Sequence, residues 1–162
     1  FRSGGHSAST THSALHPRWG STGSWAAATS IIGAHMKGIL LVGLGGFIGS
    51  VARYKLGGLV LHLSAQERFP YSTFAVNLLG CLAIGLLAGL TERYELFGPG
   101  TRLFLFTGLL GGFTTFSAFG LDALLLLRRS EFLVAALYAG ASVVLGITAV
   151  WLGLKLISVF PR

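Results

Sequence analysis

Residues 103–127 read LFLFTGLLGGFTTFSAFGLDALLLL, a run whose only ionisable side chain is Asp122. It is long enough to cross a hydrocarbon core as a helix, which takes about 20 apolar residues. Lipid offers no partner to backbone polar groups, so a helix is the expected spanning form at this length. The middle of the run resists that form: Gly111 and Gly112 are poor helix residues, and Thr114 and Thr115 are β-branched. A helix broken there frees backbone carbonyls, which at membrane depth are tolerated where they line a cavity or coordinate something. A small cation such as Na⁺ is the natural ligand of such oxygens. In a twofold dimer, two carbonyls from each copy would make a four-oxygen site on the axis.

Working outward, the same length criterion picks out three more spans, at about residues 38–63, 71–90 and 132–160. The expected architecture is therefore an all-α integral membrane protein of four transmembrane helices, the third broken. Composition agrees. Of the 162 residues 52% are hydrophobic and only 10% charged, whereas a soluble domain carries about 25% charged residues. The net charge of +7 comes with no basic run or face, which argues against a nucleic-acid partner. The basic residues lie mainly between apolar stretches, as anchors at the membrane interface.

Residues 1–35 differ in kind. They are rich in Ser, Thr, Gly and Ala, contain no Asp or Glu, and hold His6, His12, His16 and His35. Such a segment buries too little apolar surface to offset its ordering entropy and is expected to be disordered. Met36 stands directly before Lys37 and the first long apolar run. Residues 1–35 are thus read as an N-terminal extension, whose acid-free character also suits a transit peptide. Residues 36–162 form the membrane domain.

The connections are short and charged. With four spans, Lys37, Arg93, Arg102 and Arg162 fall on one side, against Arg68, Arg128, Arg129 and Lys55 on the other. Four against four gives no orientation signal. It suits dual topology, with two oppositely oriented copies paired about an axis in the membrane plane. Gly45 and Gly49, Gly85 and Gly89, and Gly108 and Gly112 carry the small-xxx-small spacing that lets helices touch. The stretch Gly43-Leu44-Gly45-Gly46-Phe47-Ile48-Gly49 lacks the spacing of a dinucleotide loop. Cys81 has no partner cysteine and is read as a small buried residue.

Polar side chains inside spans are functional candidates. Arg53 in the first span either snorkels to the interface or structures an anion-attracting vestibule. Asn77 in the second either bonds a neighbouring helix or donates an amide N–H to an anion without adding charge. Phe116 and Phe119, three apart, share a helix face. They are either ordinary packing aromatics or, because aromatic rings have positive edges, weak and charge-free ligands of a small anion. Tyr138 and Ser142, four apart on one face of the fourth span, either hydrate a permeating ion with their hydroxyls or, for Ser142, bond back to the helix without function. No nucleophile–base pair or metal-ligand cluster appears in the spans, so an enzyme is not expected.

The motifs Gly45-Gly46-Phe47-Ile48-Gly49 with Arg53-Tyr54, Asn77-Leu78-Leu79-Gly80, and Gly111 through Phe119 occur in that order. Together they resemble the CrcB/Fluc family of fluoride channels, over essentially all of residues 36–162. The resemblance implies a dual-topology, antiparallel homodimer in the cell (inner or plasma) membrane, with two pores for passive fluoride export that protect the cell from fluoride toxicity. It further implies a pathway formed by Asn77, Phe116, Phe119, Arg53, Tyr138 and Ser142. It also implies a structural Na⁺ at the dimer axis, held by the backbone carbonyls of Gly111 and Thr114. Ala118 and Gly146 depart from the family pattern, standing where a hydroxyl is frequent. The alternative reading is a proton-coupled four-helix exporter, for which Asp122 is the one embedded carboxylate.

Overall fold

The computed structural model describes residues 22–64 and 68–159. Apolar runs of this length hold their backbone hydrogen bonds internally, and the described elements are helical. They are α1 (Thr22–Leu63), α2 (Tyr71–Tyr94), a composite third span, and α6 (Phe132–Val159). The third span is built from α3 (Pro99–Arg102), a π-helical segment (Leu103–Leu110), α4 (Gly111–Phe113) and α5 (Phe116–Arg128). Four helical stretches among the described residues are long and apolar enough to cross a membrane. The protein is a multi-pass membrane protein.

Span ends lie close to the charged connections. α2 stops at Glu95, whose φ of 49° is left-handed and whose N–H bonds the Thr91 carbonyl, a helix-ending device. Pro99 opens the third span at a position where its missing N–H costs nothing. Expectation and structure differ at the start of the first span. Residues 22–35 are helical and continue into α1, where the composition of residues 1–35 pointed to disorder. Ala26, Ala27 and Ala28 lie in this stretch and are strong helix formers. Residues 1–21, including His6, His12 and His16, lie outside the described residues.

Residues 35–162 form one compact unit, held together by glycine-mediated contacts. A Cβ at Gly45 would meet Phe104 O, Leu109 N and Gly108 Cα, while one at Gly112 would meet Gly46 O. α1 and the third span therefore meet backbone to backbone through glycines on both sides. α2 and α6 do the same. Gly85 faces the Val150 backbone, and a Cβ at Gly153 would lie 2.7 Å from Leu82 O and Leu86 N. All three four-residue glycine pairs thus sit at helix contacts, where small residues replace the hydrophobic drive that lipid cannot supply.

A second cluster closes one end of the bundle. Leu126, Ala135 and Tyr138 are buried, with Phe69, Phe74 and Phe119 packed around them. Outside these contacts the helices are bare: only 6% of the most apolar window of the first span is buried. At the other end of α2, Arg93 donates to the Ser158 carbonyl (3.0 Å), so the C-terminal ends of α2 and α6 lie on the same side. Lys155 is close to that end and joins Arg93 there. The count of basic residues becomes five (Lys37, Arg93, Arg102, Lys155, Arg162) against four (Lys55, Arg68, Arg128, Arg129). The near-balance survives the correction.

Candidate functional site: a polar seam at the third span

Thr114 and Thr115 leave the helical path. Thr114 is extended (φ −85°, ψ 159°) and so is Thr115 (φ −150°, ψ 120°). β-branched residues favour such angles, and both threonines reuse their hydroxyls locally. Thr114 Oγ1 donates to the Leu110 carbonyl (2.9 Å), which also accepts the Thr114 N–H (2.9 Å). Thr115 Oγ1 accepts the Ala118 N–H (3.2 Å) and so caps α5.

Asn77 spans this seam from α2. Its Oδ1 accepts the Thr115 N–H (2.8 Å), and its Nδ2 donates to the Thr115 carbonyl (3.0 Å). The amide thus pairs with an extended residue as a neighbouring β-strand would. One Nδ2 hydrogen is left over, since a carboxamide carries two. Both readings of Asn77, interhelical bond and anion donor, are therefore compatible with a single placement.

The pairing has a consequence for the carbonyls. In a continuous helix the Gly111 carbonyl would receive the Thr115 N–H, and the Thr114 carbonyl the Ala118 N–H. Those two amides are given instead to Asn77 Oδ1 and Thr115 Oγ1. Gly111 and Thr114 keep oxygens with lone pairs to offer, while the intervening Gly112 carbonyl accepts from Ser50 Oγ (3.4 Å). Neutral carbonyl oxygens suit a hard monovalent cation.

A groove of about 400 Å³ opens beside the seam, lined among others by Asn77, Thr114, Thr115, Phe116, Phe119 and Ser142. Its wall is mostly apolar with a few polar atoms, the usual make-up of a small-ligand pocket. Phe116 and Phe119 stand 5.6 Å apart between ring centroids, tilted by 34°. Phe116 is 84% exposed, while Phe119 is half-buried against Tyr138 at 5.1 Å. One ring is thus packed on the core, and the other rests against it with most of its surface exposed.

Of the residues singled out in the sequence, Asn77, Gly111, Thr114, Phe116, Phe119 and Ser142 come together at this groove. Two stand apart. Tyr138 is wholly buried; it donates to Asp122 Oδ2 (3.4 Å) and meets Phe69 edge-on at 5.4 Å. Arg53 is half-buried on α1, its Nε screened from solvent with no hydrogen-bond partner among the described residues.

Two features were not anticipated. Cys81, read as a buried residue, is half-exposed and lines the groove. Its neighbour Gly146 leaves room for the thiol: a Cβ there would stand 3.4 Å from Sγ. The π-helical turn pattern over Leu103–Leu110 leads directly into the seam. π-Helical turns recur near functional sites, but an LFLFTGLL run carries no sequence signal for one.

Comparison with known proteins places the chain. The model of the family described as CrcB-like protein, Camphor Resistance (CrcB), matches residues 40–154. A protein of Methylobacillus flagellatus named fluoride-specific ion channel FluC is 53% identical over 122 residues, 75% of this chain and 95% of the relative. Proteins of the same name from Flavobacterium psychrophilum and Nitratidesulfovibrio vulgaris are 48% and 47% identical, each over 119 residues, 74% of this chain and 95% of theirs. The match extends across all four spans and includes every residue of the seam, so the chain belongs to the CrcB-like family.

Proposed function

We propose that this protein is a fluoride-specific ion channel that lets fluoride leave the cell passively and so lowers its toxicity. The observation that carries the reading is the meeting of Asn77, Phe116, Phe119 and Ser142 around one groove, in a chain whose relatives bear that channel's name. Fluoride is small and strongly hydrated, so a pathway must replace its water without trapping it. The spare amide hydrogen of Asn77, the Ser142 hydroxyl and the phenylalanine ring edges are dipolar donors, and none adds a full positive charge. Such sites allow entry and exit alike. Arg53 raises the local anion concentration at the vestibule by its charge. Tyr138 acts on the pathway through its contact with Phe119.

The working unit in this reading is an antiparallel homodimer. Phe116 and Gly111 are exposed on the single chain, and a partner copy would close the groove and supply the missing carbonyls. The residues at hand fit a structural Na⁺ there. The carbonyls of Gly111 and Thr114 would hold it, and its charge would tie the two seams together.

The test is fluoride efflux from liposomes, measured with and without an imposed pH gradient. A channel gives efflux that is independent of the gradient. Asp122 is the residue to vary in the competing reading, because its carboxylate sits within the spans and accepts from Tyr138. Efflux that requires the gradient and disappears in Asp122→Asn would assign a proton-coupled exporter.

A further inference from the structure

A second groove, of about 490 Å³, lies where the C-terminal parts of α2 and α6 meet, well removed along both helices from Asn77 and Ser142. Its floor is Gly89 and Leu154, and its rim carries Glu92, Arg93, Trp151 and Lys155. Gly89 makes the floor, because the absent side chain lets Ile157 and the Leu154 carbonyl approach α2. Arg93 is held over the groove by its bond to the Ser158 carbonyl (3.0 Å). Its guanidinium also lies 5.7 Å from the Tyr94 ring centroid. The Lys155 ammonium sits 5.9 Å from the ring centroid of Trp151, one turn back on the same helix.

These features mark a membrane–water boundary. Trp and Tyr collect at the headgroup level, and both spans end within a few residues of this point. Two cations and one carboxylate give the groove a net charge of +1. Basic pockets between membrane helices at this depth suit anionic lipid headgroups.

We propose that this groove binds the headgroup of a phospholipid with one net negative charge and a hydroxyl-bearing headgroup, of the phosphatidylglycerol type. The phosphodiester is placed between the Lys155 ammonium and the Arg93 guanidinium, which match its charge. The Glu92 carboxylate accepts from a headgroup hydroxyl and disfavours a second negative charge. Trp151 and Leu154 give the glycerol backbone and first acyl carbons an apolar wall.

The experiment uses the full chain in detergent micelles, titrated with phosphatidylglycerol, phosphatidylethanolamine, phosphatidylcholine or inorganic phosphate. Bound lipid is counted by native mass spectrometry. Phosphatidylglycerol is expected to be retained over the two net-neutral lipids. Lys155→Gln should weaken its binding about five-fold, the share of one basic residue at a membrane surface. Lys155 is exposed and its ring contact is within its own helix, so the variant is expected to keep its fold, checked by its helical signal. Equal retention of the three lipids would overturn the proposal, as would wild-type retention in Lys155→Gln. Displacement of phosphatidylglycerol by millimolar inorganic phosphate would assign the groove to a free anion and overturn it too.

Discussion

Asn77 concentrates the chemistry of the seam in one side chain. It satisfies both backbone groups of Thr115, and in the proposed channel its second amide hydrogen is the one that would meet an anion. Asn77→Leu should therefore do two things. Leaving two backbone groups unpaired at membrane depth costs about 1–3 kcal/mol for each, read as a lower unfolding temperature. Fluoride efflux should fall as well. A variant as stable as the parent would show that water or another group replaces the amide. For the phenylalanines the expected outcome is different. Phe116→Ile touches a ring that is 84% exposed, so stability should hold while efflux drops about tenfold, the equivalent of one lost 1.4 kcal/mol contact. Unchanged efflux in both Phe116→Ile and Phe119→Ile would remove the rings from the pathway. Residue types made these positions legible from sequence, because polar groups and paired aromatics stand out in apolar spans. Their partners were not legible. Nothing in the sequence tells that Asn77 faces Thr115, 38 positions away, or that Tyr138 points into the core toward Asp122.

At the scale of elements, the helices are held by surfaces with no side chains to give way. Gly85→Val would drive its new carbons into the Val150 backbone, and Gly112→Val into the Gly46 carbonyl. Overpacking of this kind costs about 1–3 kcal/mol, visible as a loss of folded protein on heating in detergent. Gly140→Ala is the control, because no atom lies within 4 Å of the added carbon. It should be tolerated or slightly stabilising. Equal behaviour of all three variants would contradict the close-packed contacts. Length and hydropathy alone placed most span ends within a few residues of the observed helices. They gave no sign of two features: α1 reaches back to Thr22, and the turns over Leu103–Leu110 are π-helical.

For the whole molecule, five basic residues against four leave orientation undecided by charge, and the chain exposes the residues a partner would cover. Antiparallel pairing makes a direct expectation for labelling. In a Cys81→Ser background, Gly98→Cys places a thiol in the α2–α3 connection, where no neighbour crowds it. An impermeant thiol reagent added outside sealed vesicles should reach about half of the molecules, as dual insertion requires. Labelling of nearly all or nearly none would establish one orientation and exclude the antiparallel dimer. In the sequence, orientation could be read only as a charge count, and the count changed once Lys155 was placed with Arg93 at the same end of α2 and α6.

The most direct measurement is anion efflux from liposomes loaded with equal fluoride and chloride, followed with one selective electrode for each ion. A fluoride-specific channel gives rapid fluoride release, with chloride retained until detergent is added. Fluoride release no faster than from protein-free liposomes, or chloride leaving alongside it, would contradict a fluoride-specific channel.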